Sequence, residues 1–165
     1  MCERGQIKMK TLEEIDAIRK KVREELDLRV NENANTIEKH ILVCGGTGCT
    51  SSKSPIIIEK MNEEIKKNNM NNVKVIQTGC FGLCAKGPIV IIRPEDVFYA
   101  LVKTEDAEEI IEKHIKNGEI VERLLCKDID ETVVKKLDEL NFYEKQERIA
   151  LQNCGKIDPE NIDEY

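Results

Sequence analysis

Two short-range cysteine pairs, Cys44 with Cys49 and Cys80 with Cys84, constrain this chain more than any other feature. Four residues separate the first two thiols, three separate the second two, and thirty lie between the pairs. The fold must therefore either bury four thiols separately or bring two loops together. Cys2, Cys126 and Cys154 raise the total to seven, and Met1–Gly5 leads into charge rather than an apolar signal stretch. An odd count without a signal favours reduced thiols over a disulfide framework, and a cytoplasmic setting is expected. No run approaches the ~20 apolar residues that a bilayer span needs.

Around the pairs the hydrophobic pattern alternates between short β-type runs and helical stripes. Leu12, Ile15, Ile18, Val22 and Leu26 recur every three or four residues between Lys10 and Leu28, which predicts an amphipathic helix with Thr11 near its start. Asn31–Thr36 breaks it. Ile41–Val43 reads as a strand running into Cys44, and Gly45–Ser52 as a glycine-rich loop. Ser54 is expected to cap a helix with Pro55 in its first turn and Ile57, Ile58, Met61 and Ile65 on its apolar stripe, ending at Asn68-Asn69. Val73–Ile76, Ile89–Ile92 and Val97–Val102 read as strands, with Gly79–Gly87 as a loop between the first two. A helix capped by Thr104 should end at Asn117-Gly118, followed by an extended segment over Ile120–Cys126 and a short helix over Glu131–Leu140.

The order β-α-β followed by β-β-α predicts an α/β domain of the thioredoxin-like type. Its mixed four-stranded sheet has a parallel pair from the crossover and an antiparallel pair from the short turn. The expected organisation is an N-terminal helical extension over 1–36, the thioredoxin-like domain over 37–126, and a C-terminal helix and linker over 127–165. Charge is uneven: residues 41–103 carry a net +3 and residues 104–165 a net −9. With only 4% aromatic residues and no Trp, the mildly basic middle lacks the stripe and stacking platforms of a nucleic-acid reader.

Strands joined by one crossover helix carry Cys44–Cys49 and Cys80–Cys84 at neighbouring ends, so the four thiols are expected to converge. A 2Fe-2S cluster takes four cysteine thiolates, two on each iron, with a net charge of −2 that becomes −3 on reduction. Gly45, Gly46, Gly48, Gly79 and Gly82 lie in or beside the pairs, where backbone N–H groups can face sulfur, and Lys53 and Lys86 are nearby cations. Four separately buried structural thiols are the blander reading. A closed zinc site is the stronger rival, although Cys-x-x-Cys is absent, and that absence also disfavours a dithiol oxidoreductase. Cys126 reads as a core residue and Cys2 as terminal, while the role of Cys154 is open, with packing against something outside the chain as one reading. Lys53-Ser54 lacks the glycines of a phosphate loop, and His40 and His114 read as structural.

Cys44-Gly-Gly-Thr-Gly-Cys49 and Thr78-Gly-Cys-Phe-Gly-Leu-Cys84, followed by Gly87-Pro88 and an Ile/Val strand, resemble the thioredoxin-like 2Fe-2S ferredoxins, a group that includes the small iron-sulfur subunit of complex I. The resemblance covers about residues 37–126 and implies Cys44, Cys49, Cys80 and Cys84 as cluster ligands, with Pro88 at the position where such folds carry a cis proline. Phe142–Glu160 resembles the lead-in to the flavoprotein (beta-type) subunit of NAD(P)-linked and electron-bifurcating iron-only hydrogenases. That likeness implies the N-terminal part of a longer subunit, with FMN and NAD(P) bound beyond Tyr165. The implied function is one-electron transfer within an NAD(P)H-linked hydrogenase or dehydrogenase complex, with the flavoprotein domain and other redox subunits as partners. Isolated members of the family pair, so a homodimer is one expected assembly. The alternative is a zinc-stabilised docking module without redox activity. In either case this domain performs no bond chemistry alone.

Overall fold

The computed structural model describes residues 10–30 and 38–164. Cys2, the break at Asn31–Thr36 and the proposed 36/37 domain boundary lie outside the described residues.

Helix α1 (Leu12–Val30) starts in a reciprocal cap: Glu14 N–H donates to Thr11 Oγ1 (3.2 Å), and Thr11 N–H donates to Glu14 Oε2 (2.7 Å). Strand β1 (Lys39–Cys44) leads into a short helix α2 (Thr47–Ser51), where a plain loop was expected, and then into α3 (Ser54–Lys67). Ser54 is not the cap. Lys53 takes that place in the left-handed region (φ 72°), and the buried Ser54 hydroxyl has no hydrogen-bond partner among the described residues. Strands β2 (Val73–Thr78), β3 (Val90–Arg93) and β4 (Val97–Tyr99) complete a sheet in the order β2-β1-β3-β4, with β1 parallel to β2 and both other pairings antiparallel. This is the expected mixed four-stranded sheet. The Gly87–Pro88 and Arg93–Pro94 peptide bonds are both cis.

Because side chains alternate across a strand, the buried β1 serves two cores. Ile41 and Val43 face α3 through Ile57, Met61 and Ile65, while Leu42 and Cys44 share the opposite core with Cys49, Ile76, Phe81, Ile89, Ile91 and Phe98. The first core is closed by α4 (Asp106–Glu109), which continues as a π-helix over Ile110–Lys116 before Gly118 (φ +74°) ends it. Thr104 does not cap this helix through the backbone: its hydroxyl bonds Glu105, and Asp106 Oδ2 instead accepts the Lys103 N–H at 2.7 Å.

The second core is covered by an irregular layer, where a helix over Glu131–Leu140 was expected. Strands β5 (Cys126–Lys127) and β6 (Val133–Val134) pair antiparallel, and a 3₁₀ turn spans Leu137–Glu139. The edge of β4 accounts for the difference. Phe98 N–H donates to Lys135 O (2.7 Å) and Ala100 N–H to Leu124 O (2.9 Å), so this layer pairs with and shields an otherwise open strand edge. Val134 and Leu140 then drop into the second core. The expected strand to Val102 stops at Tyr99, because Leu101 turns to φ 53° and the next amides bond Lys86 O and Pro88 O.

Beneath the π-helix, Tyr99 Oη accepts the Val121 N–H (3.0 Å) and lies 2.8 Å from His114 Nδ1. His114 is 1% exposed, and burial pulls its pKa down to about 4 despite the opposing charge of Glu95. An unfolded histidine titrates near 6.5. As pH falls below that value the unfolded chain binds a proton that the folded chain refuses, so stability declines until the folded ring itself protonates near pH 4. The expected loss between pH 7 and pH 5 is about 2 kcal/mol, read from urea unfolding midpoints, and His114→Gln should flatten that slope.

Candidate metal centre

The parallel register of β1 and β2 positions the two loops. Cys44 pairs with Thr78 across the ladder, and Gly45 N–H donates to Thr78 O at 2.9 Å. The chain therefore leaves both strands side by side, and Cys80 emerges two residues past the partner of Cys44. Helix α2 then carries Cys49 back toward the sheet, and a 3₁₀ turn over Cys84–Lys86 carries Cys84.

Burial divides the four thiols. Cys44 and Cys49 are 1% and 2% exposed, Cys80 is half-buried and Cys84 is exposed. Burial pushes the Cys49 thiol up to about 12, the hydrogen bond and charge of Cys44 push the same way, an Ile89 backbone hydrogen bond opposes them, and Cys80 adds a smaller repulsion. Cys84 is raised chiefly by the charge and hydrogen bond of Cys80, with Cys44 contributing. Each pair is thus in internal contact, and each feels the other pair. Among the described residues, no group of three or more His, Cys, Asp or Glu is arranged to hold a single metal ion.

Two glycines ease the closure of the loops. A Cβ on Gly46 would fall 3.0 Å from Cys80 Sγ, tighter than most real contacts, and one on Gly87 would fall 2.6 Å from Cys49 Sγ, closer than real contacts allow. Gly82 N–H donates to Cys80 Sγ at 3.3 Å, as anticipated for an amide facing sulfur. The donor set fits a diiron core: four thiols in two contacting pairs, in loops whose glycines admit sulfur against backbone. Four adjacent thiolates repel, and a cationic core is what would let them ionise together.

Several neighbours differ from the sequence expectation. Lys86 turns its ammonium to Lys127 O (2.9 Å), tying the second loop to β5. Cys126 is a core residue, 1% exposed, as anticipated. Cys154 packs within the chain: a Cβ on Gly79 would meet its Sγ at 3.1 Å. Tyr143 and Arg148, which the sequence marks only as part of the Phe142–Glu160 segment, also reach this loop. The Tyr143 hydroxyl donates to Phe81 O and Arg148 Nη2 to Cys80 O at 3.5 Å. Burial raises the Tyr143 pKa; Arg148 lowers it, and Cys80, Cys44 and Cys154 raise it further.

A mixed four-stranded sheet that presents two thiol-bearing loops at one end defines a class of small iron-sulfur electron carrier. The family model for the thioredoxin-like [2Fe-2S] ferredoxin matches residues 31–115, and the chain belongs to that family. Its cofactor is a 2Fe-2S cluster and its activity is electron transfer. It is 44% identical over 94 residues to a 2Fe-2S ferredoxin of Clostridium pasteurianum, covering 52% of this chain and 92% of that protein. It is 27% identical over 120 residues to the NADP-reducing hydrogenase subunit HndB of Solidesulfovibrio fructosivorans, covering 71% and 93%. A solved thioredoxin-like [2Fe-2S] ferredoxin from Aquifex aeolicus aligns at 36% identity with a TM-score of 0.49, over 53% of this chain and 88% of that one. No helix among the described residues is long and apolar enough to cross a membrane.

Proposed function

We propose that Cys44, Cys49, Cys80 and Cys84 ligate the 2Fe-2S cluster, and that the domain over 37–126 relays single electrons inside a larger NAD(P)-linked hydrogenase or dehydrogenase. The close interleaving of the two loops beyond the β1–β2 register, with Gly46 against Cys80 Sγ and Gly87 against Cys49 Sγ, carries the ligand assignment. The bound cluster supplies one reversible electron without making or breaking a substrate bond. The chain's own part is to hold and insulate. Cys44 and Cys49 anchor the inner side within the apolar core, Cys80 and Cys84 present the outer side to a partner, and the Gly82 amide offsets negative charge on Cys80.

The complex-level reading is supported by the likeness to a hydrogenase subunit and by residues 127–165, which extend past the family-matched region. In this reading 1–36 is a helical extension, 127–165 leads toward a flavoprotein domain, and electrons pass between that flavin and another redox subunit. Anaerobically purified protein should contain two irons and two sulfides per chain, with the visible absorption and reduced-state EPR signal of such a centre. Colourless protein with stoichiometric zinc after iron-replete expression would favour the docking-module alternative. Gly87→Ala is expected to reduce iron loading at least threefold by driving a methyl group into Cys49 Sγ, measured as iron per chain.

A further inference from the structure

The family match ends at residue 115, yet the chain beyond it returns to the second cysteine loop and touches three consecutive residues there. Cys154 lies against Gly79, Arg148 bonds Cys80 O, and the Tyr143 hydroxyl bonds Phe81 O. Gly155, at φ +85°, lies flat on Phe81: a Cβ there would fall 2.2 Å from ring atom Cε1. Within this strap Arg148 is oriented rather than loose, since its Cζ sits 5.4 Å from the centroid of the Tyr143 ring. Tyr143 in turn packs on the core that contains Cys44, Cys49 and Phe81.

Resting on the ligand assignment above, we propose that Arg148 is a positioning residue for electron transfer, steadied by Tyr143. It holds the main chain at Cys80 and sets a fixed positive charge beside the outer thiol pair. Electron uptake adds one negative charge to the centre, and a cation placed beforehand stabilises the reduced form more than the oxidised form. The electron enters and leaves unchanged in number; Arg148 shifts only the equilibrium. The anionic tail segment thus delivers a cation to the one place where the function uses it. Lysine is an incomplete substitute, because it keeps the charge but not the flat stacking on Tyr143.

The test is a redox titration of the full chain, loaded anaerobically and followed by visible absorption and EPR. Arg148→Gln is expected to disfavour reduction about five- to tenfold, a potential about 40–60 mV more negative for a one-electron couple. Arg148→Lys should recover part of the shift, and Tyr143→Phe should move the equilibrium about twofold in the same direction. Lys66→Gln, an equal charge change at the far end of α3, should leave the potential in place. An Arg148→Gln protein with an intact cluster spectrum and an unaltered potential overturns the proposal while leaving the ligand assignment standing, as does an equal shift in Lys66→Gln. Wild-type protein that takes up no cluster overturns the ligand assignment instead. A second measurement needs no cluster: in the iron-free chain, amide exchange over residues 79–83 should quicken at least threefold in Arg148→Gln, and unchanged exchange overturns the positioning role.

Discussion

Cys49→Ser is expected to cut iron content at least tenfold and to remove the visible absorption of the protein. Cys49 lies 2% exposed, with the Gly87 backbone on one side and Cys44 in hydrogen-bond contact on the other. A serine oxygen has a shorter bond to Cβ and a far higher pKa than a thiol, and no water can stand in for it at so closed a position. Cys84→Ser should be milder, because that side chain is exposed and solvent can approach the vacated ligand position. Partly loaded protein with a displaced absorption band is the expected product. Cys126→Ser provides the comparison: its thiol is equally buried in the same apolar core, yet it takes no part in either pair, so iron content should stay near two per chain. Full iron and an unaltered spectrum in Cys49→Ser would remove Cys49 from the ligand set. Equal losses in Cys49→Ser and Cys126→Ser would point to core damage.

The sheet was legible because its two central strands, β1 and β3, are buried on both faces and so appear as unbroken apolar runs. Ile41–Val43 and Ile89–Ile92 lie in the centre of the order β2-β1-β3-β4, where no polar alternation competes. The helix expected over Glu131–Leu140 failed for the opposite reason. Val134, Leu137 and Leu140 have helical spacing, but the free edge of β4 offers backbone partners that local pattern cannot see, and the Val133-Val134 pair joins β5 instead. The π-wound stretch over Ile110–Lys116 has the same apolar stripe as an α-helix and so leaves no mark in a period count.

At the metal centre, cysteine spacing and flanking glycines announced both loops, because a metal-ligand pair has to be local and glycine is needed where sulfur meets backbone. What covers those loops was not announced. Tyr143, Arg148 and Cys154 act from 62, 68 and 75 residues away, and each alone reads as an ordinary surface or packing residue. Lys53 and Lys86 are the cations that sequence proximity offers, and the Lys86 ammonium bonds Lys127 O. The charge of Lys86 stays near the loop, and the chain's return path adds Arg148 at Cys80 O, which sequence proximity could not indicate.

That return path depends on an ion pair, and Glu164→Gln is expected to release the C-terminal segment while the sheet stays folded. Arg29, near the end of α1, and Glu164 have side chains only 2% and 4% exposed. The guanidinium also donates to His40 Nδ1 (3.2 Å) and Lys156 O (3.1 Å), and Nη2 meets Glu164 Oε1 at 3.0 Å. Burial pushes the Glu164 carboxyl upward, but bonds from Arg29 and the Asp158 N–H outweigh it and hold the group below its ordinary value. Removing one member of a buried pair costs about 3–5 kcal/mol when the other stays buried. Here Arg29 can regain water if the tail lifts, so the cost cannot exceed the free energy that docks the tail. Release should therefore be local, seen as at least tenfold faster amide exchange over 156–164 with little change in exchange of β1. Acid should act likewise: the depressed carboxyl contributes fully above about pH 4.3, the unfolded value, and its contribution disappears as pH falls through the lower folded value. The paired replacement Arg29→Met with Glu164→Leu removes both charges together and should restore much of the docking, since an apolar pair of similar volume escapes the desolvation cost. Unchanged exchange in Glu164→Gln would mean that the contacts of Tyr143, Arg148, Cys154 and Gly155 with the second cysteine loop hold the tail without the ion pair.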